Sequence, residues 1–238
     1  MRYRIVPFCF FLFYIFLPHT SRAQYYASAF GKQGATLKTA LHNIVKGHVV
    51  GTYSDLWNAF YTSDKRGSNQ VWDIYSDIPG GVAPYIYTLG VNQCGTYSGE
   101  GDCYNREHTW PQNYFNGQPP MQTDLHHIFP TDGHVNGKRG SFPYGKVLTP
   151  SWTSDNGSKT GNSNNYPGYI LDVFEPIDSF KGDIARVYFY MSTRYEGEDA
   201  GWLNLPMANG AVLTTEAIAL LMSWHQLDPV SQREKDRN

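Results

Sequence analysis

The amino-acid sequence predicts an α+β fold, in which helices near both ends of the chain flank a central region of strands and loops. Two observations predict it. Apolar residues recur with the helical period at residues 36–48 and again in the last third of the chain, which indicates amphipathic helices. Between them lie short runs rich in aromatic and β-branched residues, bounded by Gly, Pro and Asn, as is typical of strands and turns.

The N-terminus has the organisation of a secretory signal peptide at residues 1–23. A short basic head precedes an almost unbroken apolar run at residues 5–17, and Ser21 and Ala23 occupy the small-residue positions of a cleavage site. The run is short for a membrane span, so an N-terminal anchor is the weaker alternative. We expect residues 24–238 to form a single exported domain, monomeric and without membrane association once the signal is cleaved.

The charge balance argues against a general polyanion binder. The whole chain has a formal net charge of −2 at pH 7. Because Arg2, Arg4 and Arg22 leave with the signal and no acid does, the exported chain keeps 16 basic and 21 acidic residues, a net charge of −5. Any nucleic-acid site must therefore be a local basic patch.

The cysteines predict one small disulfide loop. Cys9 leaves with the signal, and only Cys94 and Cys103 remain in the exported chain. Closing this loop would stabilise the fold by roughly 2–3 kcal/mol through chain entropy. A metal site of two thiolates is the alternative, but the CxxC spacing is missing. The predicted bridge ends one residue before Tyr104 and would anchor the segment that follows.

Local patterns predict the elements before this segment. Helical spacing predicts a helix over residues 36–48, and Ser54 is placed to cap a second short helix. We interpret His42 and His48 as ordinary helix-surface residues. Residues 71–88, rich in Tyr, Trp, Ile and Val, predict one or two strands around a Pro-Gly-Gly turn.

Later in the chain, a loop precedes two further helices. Gly, Asn, Ser and Pro crowd residues 150–168, which predicts a long surface loop. A helical stripe of apolar residues begins after Asp183, and Thr214 is placed to cap another helix that ends near Asp228. Asp183 and Arg186 are interpreted as an internal ion pair rather than as a phosphate contact.

Residues that can carry chemistry concentrate in two neighbouring segments. The first, CYNREHTWP, predicts a strand at residues 104–110. The second, TDLHHIFPTDGHVNGKRGSFPYG at residues 123–145, predicts a short strand ended by Pro130, followed by a helix capped by Thr131 or Asp132. The order strand, loop, strand, helix predicts a hairpin with a helix packed across it.

Three residues of these segments form a possible metal and base site. Glu107 and the Asn136 amide offer oxygen ligands suited to Mg²⁺, Ca²⁺ or Mn²⁺, and His108 is a base that titrates near neutrality. Neighbouring strand residues point to opposite faces, so this arrangement is expected to need a twist or bend. One alternative is a surface Glu beside a buried structural His. The other is a zinc site, without HExxH spacing, built from His108, His126, His127 and His134.

The two motifs resemble the endonuclease I family of secreted bacterial nucleases, which belong to the ββα-metal superfamily. The family pattern is roughly NREHxxP followed by TDLHHLxPxDxxxNxxRSNxPFG. The similarity extends to FEP at 174–176, KGDIARVYFYM at 181–191 and WHQLDPVS at 224–231, and so covers most of the mature chain.

The resemblance implies a ββα-metal finger core flanked by helices. It also implies cleavage of phosphodiester bonds in DNA, and often RNA, with little sequence preference and 5′-phosphate products, outside the cell or in the periplasm. One divalent cation is implied, with Mg²⁺ expected and Ca²⁺ or Mn²⁺ as alternatives. By position, Glu107 and Asn136 resemble the metal ligands and His108 the general base. His127 resembles a residue that supports the finger, and Arg139 is placed to touch the scissile phosphate or to hold the helix.

The chain departs from the family pattern at two places. Gly140 and Ser141 follow Arg139 where the family commonly has RSN, so the hydrogen bonds of this turn are expected to differ. The family pattern also continues past the position of Asn238, and any contribution of that segment to the fold or to substrate binding would be missing. An exported zinc hydrolase remains as a competing function. The other is a glycan-binding module that uses Trp57, Trp72, Tyr85 and Tyr87.

Overall fold

The computed structural model describes residues 25–163 and 171–238, so the predicted signal peptide lies outside the described residues. Within them, helices combine with four small antiparallel sheets, which confirms the α+β class. The helices are α1 Gly34–Val45, α2 Asp55–Ser63, α3 Gly133–Arg139, α4 Lys181–Arg194, α5 Thr215–Leu227 and α6 Gln232–Arg237. The strands are β1 Lys65–Arg66, β2 Gln70–Val71, β3 Tyr104–His108, β4 Ile128–Asp132, β5 Thr149–Thr153, β6 Lys159–Asn162, β7 Asp172–Glu175, β8 Ala208–Asn209 and β9 Val212–Leu213. None of these helices combines the length and the apolar character that a bilayer span requires.

Helix α4 organises the hydrophobic core. Ile184, Tyr188 and Met191 lie one helical turn apart, on one face, and are fully buried. They share one apolar cluster with Leu221 and Trp224 of α5. Full burial of such a side chain contributes about 1.5–3 kcal/mol. The predicted apolar stripe is therefore present and holds the two helices together.

The helix signal at Thr214 is confirmed, whereas Ser54 precedes α2 but its side chain makes no capping hydrogen bond. The Thr214 side chain accepts a hydrogen bond of 3.1 Å from the Ala217 backbone, which caps α5, and the helix ends before Asp228. The predicted internal ion pair joins Arg186 to Asp183 at 3.8 Å.

His42 differs from its sequence interpretation. It is buried, and its Nδ1 donates to the backbone carbonyls of Thr193 and Arg194 at 3.2 and 3.0 Å. The last carbonyls of a helix lack partners within the helix, and His42 supplies one at the end of α4. The side chain thus fastens α1 to α4, and the prediction of a surface residue was wrong.

The predicted hairpin crossed by a helix is present. Strands β3 and β4 pair antiparallel, with Glu107 opposite Phe129 and His108 opposite Ile128. Asp132 ends β4, and its side chain accepts a 2.8 Å hydrogen bond from the Val135 backbone, which starts α3. The chain therefore turns directly from the second strand into the helix.

The predicted disulfide joins Cys94 to Cys103, with Cα atoms 5.7 Å apart. Cys103 immediately precedes β3. In addition, the Cys94 backbone donates a hydrogen bond of 3.1 Å to the Tyr104 carbonyl. The bridge thus anchors the start of the strand that carries Glu107 and His108.

Residues 71–88 do not form the predicted strands. Within this stretch only Val71 belongs to a strand, and Thr88 makes an isolated bridge. The Asp73 carboxylate accepts the Tyr75 backbone N–H at 2.7 Å, so the chain turns where extension was predicted. The aromatic pattern here reflects burial in the core rather than strand pairing, as shown by the buried residues Trp72, Tyr75 and Tyr87.

Two other boundaries also differ. Pro130 lies within β4 instead of ending it; β4 has one partner strand, and a proline fits where its nitrogen faces the unpaired edge. The loop predicted at residues 150–168 contains most of β5 and all of β6, while residues 164–170 lie outside the described ranges. A Cβ atom at Gly161 would lie 2.2 Å from the Thr149 carbonyl oxygen, so only glycine permits this close pairing.

Candidate active site

A polar cleft of about 550 Å³ opens beside β3. Glu107 and His108 of β3 line it, together with Asn136 and Arg139 of α3. Within the described residues the sheet has two strands, so the edge of β3 opposite β4 is open there apart from an isolated bridge at Tyr104. Glu107 and His108 both line this cleft, although neighbouring side chains of a strand alternate between its two faces.

Glu107 is 2% exposed, and one of its oxygens is fully engaged. Oε1 accepts a 2.8 Å hydrogen bond from the Tyr75 hydroxyl and pairs with Arg139 Nη1 at 3.1 Å. Oε2 has no hydrogen-bond partner among the described residues. Burial raises the pKa of Glu107 to about 7, although Arg139 and Tyr75 act in the opposite direction. A further positive charge at Oε2 would favour the carboxylate.

Asn136 offers a second oxygen in the same cleft. Its Nδ2 donates to Asn105 Oδ1 at 2.7 Å, which orients the carboxamide and leaves Asn136 Oδ1 without a partner in the described part of the chain. The free oxygens of Glu107 and Asn136 are donors of the type that hard divalent cations prefer. The residues present thus fit the cation that the sequence predicts.

His108 is 5% exposed and held in one tautomer. Its Nε2 lies 3.1 Å from the Gln122 carbonyl oxygen. Since a carbonyl can only accept, Nε2 carries the proton and Nδ1 remains an acceptor. Burial, reinforced by His127, lowers the pKa of His108 to about 3, so the ring is neutral at pH 7. The expectation from the sequence that His108 titrates near neutrality was wrong, because burial disfavours the charged ring.

Arg139 fastens α3 to the end of β3. Its Nη1 donates to the His108 carbonyl at 3.0 Å and its Nη2 to the Thr109 carbonyl at 2.5 Å, in addition to the ion pair with Glu107. Burial acts to lower the pKa of Arg139, but Tyr144 and Glu107 hold it above its ordinary value. Of the two roles considered from the sequence, these contacts favour holding the helix over touching the phosphate.

His127 lies behind the cleft rather than in it. It is fully buried, and its Nε2 donates to the Met121 carbonyl at 2.7 Å. Its ring centroid is 5.4 Å from that of His108. These contacts favour a supporting role for His127 over direct chemistry.

Sequence reasoning missed several groups that position the site. Asn105 lies two residues before Glu107, on the same face of β3, and the two-residue strand period could have identified it. Tyr75 carries no such signal, because it is 32 residues from Glu107. Its hydroxyl also lies 2.8 Å from that of Tyr144. The Gln122 contact uses a backbone carbonyl, which no side-chain motif can indicate.

The two competing functions lose their support. Within the described ranges, no group of three or more His, Cys, Asp or Glu side chains could hold a metal ion, so the donor set of a structural or catalytic zinc site is missing there. Of the aromatic residues proposed for a glycan platform, Trp72 and Tyr87 are buried in the core. They cannot form an exposed stacking surface.

An antiparallel hairpin with a helix packed across it and an open cleft along its first strand is the architecture of the ββα nucleases, and the chain falls in this class. The Endonuclease I family model matches residues 33–238, and the chain belongs to that family. It is therefore an endonuclease.

Relatives from three bacteria agree with this assignment. Extracellular ribonucleases of Bacillus amyloliquefaciens and Bacillus subtilis (strain 168) are each 34% identical to the chain, over 233 and 230 residues. These matches cover 94% and 93% of this chain and 72% of each relative. An extracellular deoxyribonuclease of Aeromonas hydrophila is 28% identical over 125 residues, which is 50% of this chain and 43% of the relative.

Proposed function

We propose that the chain is an exported, metal-dependent endonuclease that hydrolyses phosphodiester bonds in DNA and RNA with little sequence preference. The observation that carries the proposal is the cleft beside β3. The neutral imidazole of His108 lines it together with Glu107 and Asn136, each of which has one oxygen without a hydrogen-bond partner among the described residues. The relatives bear the names of ribonucleases and of a deoxyribonuclease, which supports a substrate range that includes both nucleic acids.

Glu107 and Asn136 would hold one divalent cation, for which Mg²⁺ is the proposed ion and Ca²⁺ and Mn²⁺ the alternatives. Two protein ligands leave coordination positions for water and for a phosphate oxygen. When bound, the cation neutralises charge that develops on the phosphate and on the departing 3′ oxygen.

His108 is the proposed general base. The Gln122 carbonyl keeps the proton on Nε2, so Nδ1 takes a proton from a water molecule as the water oxygen attacks phosphorus. The bond between phosphorus and the 3′ oxygen then breaks, which leaves a 5′-phosphate and a 3′ oxyanion. The oxyanion takes a proton from solvent water to give the 3′-hydroxyl, and His108 returns its proton to solvent. Arg139 assists by fixing the backbone at His108 and Thr109, which orients the imidazole.

Low sequence preference is expected if the substrate is bound mainly through its phosphates, because phosphate contacts carry no base information. The exported chain has 16 basic and 21 acidic residues, so binding must depend on positive groups at the cleft. Activity should consequently fall steeply as salt is added.

Three observations support export. The relatives are named as extracellular enzymes. The first 23 residues have the pattern of a signal peptide. The bridge between Cys94 and Cys103 is of the kind that persists in an oxidising compartment. Both the periplasm and the cell exterior meet this condition.

The function is tested by incubating the mature protein with plasmid, with RNA and with casein, each in Mg²⁺ or in excess chelator. We expect cleavage of plasmid and RNA that requires the metal, with casein intact. Nucleic-acid cleavage that survives the chelator would contradict the metal-dependent mechanism. Absence of nucleic-acid cleavage in every condition, or cleavage of casein alone, would contradict the function.

A single substitution tests the metal ligand. Glu107→Gln keeps the side-chain volume and an oxygen for the Tyr75 hydroxyl but removes the charge. We expect reduced activity at low Mg²⁺ and partial recovery at high Mg²⁺, because weaker binding is offset by mass action. Initial rates are measured across a Mg²⁺ titration, with the exposed Glu216→Gln on α5 as the matched control. An equal loss at every Mg²⁺ concentration would show that Glu107 does not bind the ion.

A further inference from the structure

Within the described ranges, one arginine at the cleft has no acidic partner. Among the residues that the structure describes, the other six arginines each pair with a carboxylate. Arg106, which lines the cleft, pairs with none. A guanidinium is seldom left without an acid or another anion when it is partly removed from water. The fold therefore places an uncompensated positive charge beside the candidate catalytic residues.

Aromatic contacts hold this charge in place. The Arg106 guanidinium carbon lies 3.5 Å from the centroid of the Tyr53 ring and 4.4 Å from that of Trp57. Its Nη1 donates a 2.7 Å hydrogen bond to the Tyr53 backbone carbonyl. Such contacts orient the planar group. A guanidinium has five N–H donors, and among the described residues those of Arg106 bond to Tyr53, so donors at its edge remain for a ligand.

Arg106 and His108 lie on one face of β3. They are two positions apart, a distance of about 7 Å along a strand. Tyr53 joins them, because its ring lies against Arg106 and also stacks on His108, with ring centroids 5.9 Å apart and planes inclined by 23°. A nucleic-acid strand whose scissile phosphate lies at His108 would therefore bring a neighbouring phosphate within reach of Arg106.

We propose that Arg106, held by Tyr53 and Trp57, binds the backbone phosphate next to the one that is cleaved. This inference rests on the proposed nuclease function and names a substrate contact for it. The ligand class is a phosphodiester, because a planar guanidinium with free edge donors matches phosphate oxygens. The aromatic residues act as positioning residues that hold Arg106.

The test measures how binding and cleavage depend on salt. Arg106→Gln is compared with Arg106→Lys and with Lys65→Gln, which removes an exposed charge away from the cleft. Binding of a labelled single-stranded DNA is followed by fluorescence anisotropy in Mg²⁺, in a His108→Ala background that slows cleavage by about 10²–10⁴-fold. Each variant is also made in the otherwise unchanged enzyme for kcat and KM, and thermal unfolding verifies its fold.

We expect Arg106→Gln to raise Kd and KM about tenfold or more, as befits loss of a charge-assisted hydrogen bond. The slope of log K against log salt should become shallower by about 0.7, the value for one phosphate contact on a single strand. Arg106→Lys should keep the salt slope and raise Kd by less than Arg106→Gln does. Lys65→Gln should match the unaltered protein in both the salt slope and Kd.

A purely structural role would leave the salt slope of Arg106→Gln unchanged, even if Kd rose, and that result overturns the proposal. If Arg106→Gln does not fold, an unaltered Kd in Arg106→Lys overturns it instead. Failure of the nuclease function itself is distinguishable, since the unaltered enzyme would then show no metal-dependent cleavage. If the unaltered enzyme cleaves normally and Arg106→Gln keeps the full salt dependence of binding, the Arg106 contact is refuted and the nuclease function is not.

Discussion

We expect His108→Ala to lower kcat by about 10²–10⁴-fold, the range by which loss of a general base slows an enzyme, while the protein remains folded. The imidazole is neutral, and its Nδ1 remains an acceptor because the Gln122 carbonyl binds Nε2. The substitution removes no metal ligand, so the loss should persist at every Mg²⁺ concentration, in contrast to that of Glu107→Gln. Initial rates on plasmid at saturating substrate, across a Mg²⁺ titration, measure both properties.

His134→Ala is the matched control for this prediction. His134 belongs to α3, which packs across the hairpin of β3 and β4 in the ββα finger, but it does not line the cleft. Its ring contacts are with Tyr97 and Trp152, at centroid distances of 5.9 and 6.1 Å. We expect its kcat to stay near that of the unaltered enzyme. Circular dichroism verifies that both variants fold. Normal cleavage by His108→Ala would exclude it as the base, and a large loss in His134→Ala would favour a site of several histidines.

The finger could be predicted because its signals are local. Asp132 caps a helix that begins at the next residue, and the disulfide lies one residue before β3, so each can be identified within a few positions of the sequence. The strand order followed from apolar runs separated by turn residues. The resemblance to a family then assigned expected roles to Glu107, His108 and Asn136, which the structure places around one cleft.

The environment of these residues could not be predicted because it is formed by long-range contacts. Tyr75 reaches Glu107 from a turn 32 residues earlier, and an aromatic run gives no indication of which hydroxyl will find a partner. His42 shows the same limit, since its partners are carbonyls about 150 residues later, at positions 193 and 194. Composition led us to predict a loop where β5 and β6 lie. Gly161, which the close pairing of these strands requires, had been counted among the residues that indicate a loop.

Burial of Glu107 has an energetic consequence for the whole finger. The carboxylate is 2% exposed, and within the described residues its ion-pair partner is the guanidinium of Arg139, which is itself 1% exposed. Removing one member of a buried pair leaves the other charge without compensation, which costs more than the pair contributes while intact. The stability of the finger should therefore depend strongly on Arg139, separately from any role in chemistry.

We expect Arg139→Met to lower the free energy of unfolding by about 3–5 kcal/mol, the cost of breaking a buried ion pair. Methionine preserves much of the side-chain volume, but it leaves Glu107 without its cation and removes the hydrogen bonds to the His108 and Thr109 carbonyls. Urea denaturation of the mature protein measures the change. The neighbouring Lys138→Met is the matched control, because Lys138 is exposed and surface substitutions usually change stability by about 0.5 kcal/mol or less.

The double variant Glu107→Gln with Arg139→Met separates the charge effect from the lost packing and hydrogen bonds. If the uncompensated carboxylate causes the destabilisation, removing its charge should restore part of the stability, and the two substitutions should be non-additive. If the double variant loses the sum of the single losses, the ion pair is not the cause, and the carbonyl hydrogen bonds account for the effect. A loss in Arg139→Met no larger than that of Lys138→Met would show that α3 is held to β3 without the buried guanidinium.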